Sequence, residues 1–169
     1  MCLNTTSMNT SLLFSQKSWF AFLDEDQRQL VLVSEYLYER EERLNSRIAD
    51  YSFIVFPMAK AYEGFLKEYL HSLKILPKQN YDDRKFRIGR ALNPDISEKH
   101  KNEWWLYDDL IRACDDKTAR ELWDAWVECR NHVFHFFSDQ KEELSLSVAQ
   151  KRLVQLSNAM DQAMQCLWK

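Results

Sequence analysis

Residues 50–76, DYSFIVFPMAKAYEGFLKEYLHSLKIL, decide the fold class. Ile54, Met58, Ala61, Phe65, Tyr69 and Leu73 recur at intervals of three and four, the period of one helix face, and Asp50 precedes them as a capping carboxylate. The spacing predicts a helix to about Leu76, kinked at Pro57 because proline has no amide proton to give the preceding turn. Outward from this segment the same period returns. A helix from Asp24 or Asp26 to about Ile48 has Leu30, Val33, Leu37 and Leu44 among its apolar positions, with Glu39, Arg40, Glu41, Glu42 and Arg43 on a solvated outer face. A short helix spans Asp83 to Leu92, and a further one from Ser97 to Ala113 carries Trp104 and Trp105. Asp115 and Asp116 cap a helix running to about Phe137. Ser147-Val148-Ala149-Gln150 spells a capping box that opens a last helix ending near Leu167. Long amphipathic helices with short connections predict an all-α antiparallel bundle of about four to six helices. It occupies residues 21–169 as a single domain, behind a loosely ordered tail of residues 1–20.

Composition narrows the function classes. With 46% hydrophobic and 14% aromatic residues, the 169 residues suffice for one core built without disulfides or metal. Only 2 Gly and 3 Pro occur, and Gly64 and Gly89 stand far apart, which excludes phosphate-cradling glycine loops and all-β architecture. Cys2, Cys114, Cys129 and Cys166 form no C-x-x-C pair, and the first residues lack the charged and apolar regions of a secretory leader. Reduced thiols, a cytoplasmic location and no membrane partner are therefore expected. A net charge of -3 offers no global attraction to RNA, so a nucleic-acid partner needs a local patch. Arg84, Lys85, Arg87 and Arg90 supply one; the alternative for them is a solvated basic turn.

The chemistry concentrates in Arg130-Asn131-His132-Val133-Phe134-His135. Imidazole can relay a proton near neutrality, and guanidinium can hold a phosphate and stabilise the charge it gains, a combination that cleaves RNA without metal. Leu122, Trp126, Cys129, Val133 and Phe136 form the apolar stripe of this helix, and Arg130 falls in an edge row with Trp123, Val127, Phe134 and Phe137. Asn131 and His135 are i,i+4 neighbours, so the amide can orient the imidazole. On an ideal helix Arg130 and His135 diverge by about 140°, too far to grip one phosphate unless the end unwinds or two copies face each other across a two-fold axis. The bare pattern is weak, since roughly one chance match is expected in a chain of this composition.

An arginine followed directly by a polar residue, with histidine at R-x(4)-H spacing on a late helix of an all-α domain, resembles the HEPN superfamily of RNases. Residues 53–67 and 86–94 resemble the HEPN domain of RNase LS type toxins, and the likeness covers roughly residues 25–167. The resemblance implies a homodimeric, metal-independent endoribonuclease with no cofactor, leaving a cyclic phosphate, often a toxin restrained by an antitoxin or other inhibitor protein and deployed against phage. It implies catalytic roles for Arg130, His135 and Glu63, with Lys60 a turn before the acid and Asn131 supporting. The large N-terminal region of those toxins has no counterpart in the likeness, which leaves substrate choice open. Phe136 and Phe137 stand where toxins silenced by nucleotidyl modification carry a tyrosine.

Other readings stand beside this one. Arg130 can be a structural ion-pair partner of Glu63, with His135 placed by the helix macrodipole, in a non-catalytic interaction or nucleotide-sensing bundle. A metal bundle is the third class: Glu128, His132 and His135 share a helix face, and Glu68 and His71 spell one E-x-x-H. That site lacks a second E-x-x-H and needs Glu35, Glu39 or Glu42 turned inward. Tyr62, Phe134 and Phe137 are candidates for base stacking, although aromatics at helical spacing usually serve the core.

Overall fold

The computed structural model describes residues 12–135 and 143–167. Its architecture is all-α, with no strand among the described residues. The helices are α1 (Ser18–Phe22), α2 (Glu25–Leu44), α3 (Ser52–Ser72), α4 (Lys78–Asp82), α5 (Ile88–Ala91), α6 (Tyr107–Ala113), α7 (Asp116–Trp126), α8 (His132–Phe134) and α9 (Leu146–Leu167). A π-helical turn, Val127–Asn131, joins α7 to α8.

Four long segments make the bundle, and individual contacts set their directions. The Met58 amide donates to Ser34 Oγ at 2.9 Å while Gly64 lies against Gln27, so α2 and α3 are antiparallel. Thr118 meets Gln162 and Glu128 meets Arg152, which makes α7 and α9 antiparallel as well. Tyr62 donates to the Leu122 carbonyl at 2.9 Å and Phe56 reaches Phe134, so α7 also runs against α3. Between them lies an aromatic spine, Tyr62, Phe65 and Tyr69, stacked ring on ring and fully buried. Burying three such rings removes enough apolar surface to dominate the local balance, at about 25 cal/mol per Å².

Local chemistry explains the helix ends. Asp24 caps α2 through a full capping box with Gln27, and Asp115 Oδ1 accepts from the Thr118 amide at 2.7 Å to start α7. Asn45 and Lys74 adopt left-handed backbone with φ of 47° and 62°, which stops α2 at Leu44 rather than Ile48 and α3 at Ser72 rather than Leu76. α3 continues through Pro57. The last helix is capped two residues earlier than its spelling suggests: Ser145 Oγ accepts from the Val148 amide at 3.3 Å, and Ser147 lies inside the first turn.

Several expectations are corrected. Residues 12–20 are not a loose tail: Leu12, Phe14 and Trp19 are buried, and Trp19 Nε1 donates to Ser157 Oγ at 3.3 Å. The packed domain therefore begins before residue 21, because this apolar segment closes one side of α9. The helix expected from Asp83 to Leu92 shrinks to α5, since Asp83 Oδ1 captures the Lys85 amide at 2.7 Å and turns the chain. Ser97 to Ala113 holds only a 3-10 turn at Glu98–His100 and then α6; Trp104 and Trp105 lie between them, with Trp105 Nε1 donating to the Asn93 carbonyl at 2.8 Å. Glu41 is not solvated but buried, with Arg40 Nε at 3.8 Å from Oε1 and no hydrogen-bond partner on Oε2. The thiols are not all reduced. Cys114 and Cys166, with Cα atoms 5.7 Å apart, form a disulfide between the ends of α6 and α9, while Cys129 is a buried free thiol. No helix among the described residues is long and apolar enough to cross a membrane.

Candidate functional site

Arg130 sits in the π-helical turn, where one extra residue is taken into the helix repeat. Such bulges concentrate at functional sites, and this one changes the offset between Arg130 and the residues after it. His135 lies just past α8 with extended backbone, φ −108° and ψ 132°, its amide donating to the Asn131 carbonyl at 3.3 Å. The strict 140° separation expected of an ideal helix does not hold here, because the segment is widened at Arg130 and unwound at His135. The His135 side chain is exposed, and Asn131 is half-buried. Phe136 and Phe137 lie outside the described residues.

The guanidinium of Arg130 is held on two sides. It lies over the Trp126 indole at 5.0 Å from the ring centre, and its Nη2 is 3.9 Å from Glu63 Oε2. That distance exceeds hydrogen-bond reach, so Glu63 attracts the guanidinium without clamping it. About a third of each side chain remains exposed, 35% for Arg130 and 34% for Glu63, which leaves donor groups for a ligand. The Trp126 ring is in turn seated against Gly89, where a Cβ would fall 2.8 Å from Nε1. Glycine fits at that point because it lets the backbone approach the indole more closely than a Cβ would allow.

Two hollows meet at the Arg130–Glu63 pair. A groove of about 450 Å³ runs over Trp123, Trp126, Asn93 and Asp95 and includes Arg87 and Asn131. A smaller notch of about 100 Å³ lies on the opposite side, between Phe56, Lys60 and Phe134. The structure thus brings Glu63, Lys60, Arg130 and Asn131 of the sequence candidates to one place, with Arg87 the member of the basic cluster that reaches it. Arg84, Lys85 and Arg90 are exposed but do not line either hollow. Their alternation with buried Phe86 and Ile88 holds the four cations outward. Trp123, Asn93 and Phe56 were missed from sequence. For Phe56 a signal existed: with Phe53 it puts phenylalanine on the face of α3 opposite the buried stripe, where a solvated residue is expected.

The carboxylates of the metal reading are engaged elsewhere. Glu128 pairs with Arg152 at 2.7 Å and with His132 Nδ1 at 3.5 Å. Glu68 accepts from the Tyr81 hydroxyl at 3.0 Å, and His71 Nδ1 is bonded to the Leu76 carbonyl at 2.8 Å. Glu42 accepts from Tyr38 at 3.1 Å, and Glu35, whose carboxyl is raised above the ordinary range by burial, accepts the Phe14 amide. No group of three His, Cys, Asp or Glu placed to hold a metal ion occurs among the described residues. Tyr62, a stacking candidate, is wholly buried and serves the core.

No family model, curated protein or solved structure matches this chain.

Proposed function

We propose that the protein is a metal-independent endoribonuclease of the HEPN type, with Arg130 and His135 as catalytic residues. The observation that carries this reading is the placement of Arg130: a partly exposed guanidinium at the junction of two hollows, backed by Trp126, steered by Glu63 and accompanied by Arg87 and Lys60. Arg87 and Arg130 line the groove beside Glu63 and Asp95, and Lys60 lines the adjoining notch, so this net-acidic chain offers a polyanion a local set of cations here. Arg130 holds the scissile phosphate and offsets the charge it gains as the 2′-oxygen attacks. His135 takes the 2′-hydroxyl proton, or returns one to the leaving 5′-oxygen, and a cyclic phosphate remains. Glu63 keeps the guanidinium aimed across the groove, and Asn131 supports the segment that presents His135.

In this proposal the protein acts in the cytoplasm as a homodimer whose motif segments share a groove, in the manner of a toxin or phage-defence RNase restrained by an antitoxin or inhibitor protein. The test is cleavage of RNA in EDTA by purified protein, with light scattering for the dimer. Cleavage should persist in EDTA, and His135→Ala should lower it by about 10²- to 10⁴-fold. Arg130→Lys should remain badly impaired, because lysine keeps the charge but loses both the planar fork and the stacked seat on Trp126. Wild-type rates in both variants, or activity only with added divalent metal, would sink the proposal.

A further inference from the structure

The notch beside Arg130 has a character different from the main groove. Its walls are Phe56 and Phe134, whose rings meet edge to face at 5.0 Å and 89°, and its floor carries Lys60, Glu63 and Arg130. Phe56 is 54% exposed although it belongs to a well-packed helix, and Phe53 one turn before it is 37% exposed. Exposing large aromatic surface costs free energy unless something covers it in use. A planar apolar ring next to two cations is complementary to a nucleotide, whose base has a π face and whose phosphate carries the charge.

We propose that Phe56 and Phe134 form a nucleobase-stacking subsite that takes the base flanking the phosphate held by Arg130, which makes unpaired RNA the substrate class. This rests on the ribonuclease reading. A base inside an A-form duplex is stacked on its neighbours and cannot enter a side notch, whereas an unpaired base turns out onto an aromatic face. Lys60, on the same exposed face of α3, contacts the phosphate beyond that base, and the main groove with Trp123 and Arg87 receives the strand on the other side of the scissile bond.

The experiment measures kcat/KM on a fluorescent single-stranded 12-nucleotide RNA, on the same RNA with an abasic residue beside the cleaved bond, and on a fully paired duplex. Phe56→Ala and Phe56→Leu are compared with Phe56→Trp. Leucine keeps the apolar packing on Phe134 and removes only the π face. Both Ala and Leu should lose on the order of 5- to 150-fold on the intact single strand, the loss of one base–aromatic stack, and little on the abasic RNA; Trp should retain activity. Wild-type protein should cut the duplex poorly. Unchanged kcat/KM in Ala and Leu alongside active wild type overturns the subsite and leaves the ribonuclease reading standing. Activity restored by Leu, with Ala turning a dimer into a monomer in light scattering, also overturns it, since the patch then serves self-association. Wild-type protein that neither cuts nor binds any of the three RNAs removes the ribonuclease reading and the subsite with it.

Discussion

Reduction of the Cys114–Cys166 bond gives the most quantitative handle on this fold. The two cysteines are 52 positions apart in the chain, and the bond ties the end of α6 to the end of α9. In the unfolded chain such a cross-link closes a loop of about 50 residues, which removes conformational entropy equivalent to about 4 kcal/mol at 25 °C. Native-state strain and residual structure lower what is realised, so this figure is a ceiling. At about 2–4 °C per kcal/mol for a domain of this size, reduction should lower Tm by up to about 8–16 °C. The effect has a local side too, because Cys114 directly precedes the Asp115 cap of α7, and Gln162 near the other cysteine donates to Thr118 at 3.3 Å. Loosening the bond frays the start of α7, the helix that leads into the turn carrying Arg130. The assay is thermal unfolding by circular dichroism with and without dithiothreitol, beside the Cys114→Ser, Cys166→Ser double variant. The variant should melt with reduced wild type and respond no further to reductant. Thiol titration of the denatured, unreduced protein should find Cys129 reactive and Cys114 and Cys166 silent. Four reactive thiols in that sample, or identical melting in both buffers, would refute the reasoning. Both cysteines are partly exposed, so a reductant in solution reaches the bond without unfolding the domain.

Two further outcomes follow from single contacts. Gly89→Ala places a Cβ 2.8 Å from Trp126 Nε1; it should cost about 1–3 kcal/mol and, by displacing the seat of Arg130, reduce RNA cleavage as well, whereas an unchanged Tm and rate would show that the indole yields freely. Burial pushes the Cys129 thiol up to about 12, so it should ignore a disulfide reagent at pH 8 in the folded protein and react once unfolded. The sign for stability follows: the unfolded thiol loses its proton from about pH 9 while the folded one keeps it, so this contribution is complete below that range and is lost as pH rises through about 12. Rapid labelling of native Cys129 at pH 8 would contradict the burial.

The helical class and the inward face of α3 were legible from local pattern, whereas on α2 the apolar Val33 and Leu44 lie exposed and Val31, Ser34, Tyr38 and Glu41 face the core. Ile54, Met58, Ala61, Phe65 and Tyr69 are all buried as their spacing requires, and Asp24 and Asp115 cap where carboxylates before an apolar run should. These follow from backbone geometry and nearest neighbours, which the order of residues contains. The proximity of Glu63 and Lys60 to Arg130 entered as an implication of family likeness, since the candidates lie on helices far apart in sequence. Periodicity says which face of a helix is apolar; it does not say what covers that face or what is left bare. Only tertiary packing could put Gly89 under Trp126, bury Glu41 on a run of charges, bring Arg87 to Arg130, leave Phe56 open beside it and join Cys114 to Cys166. The π-helical turn at Arg130 belongs to the same class, because its cost of extra helix strain is offset by Cys129 packing toward α9 and Arg130 reaching Trp126 and Glu63, contacts made across the bundle and invisible along the chain.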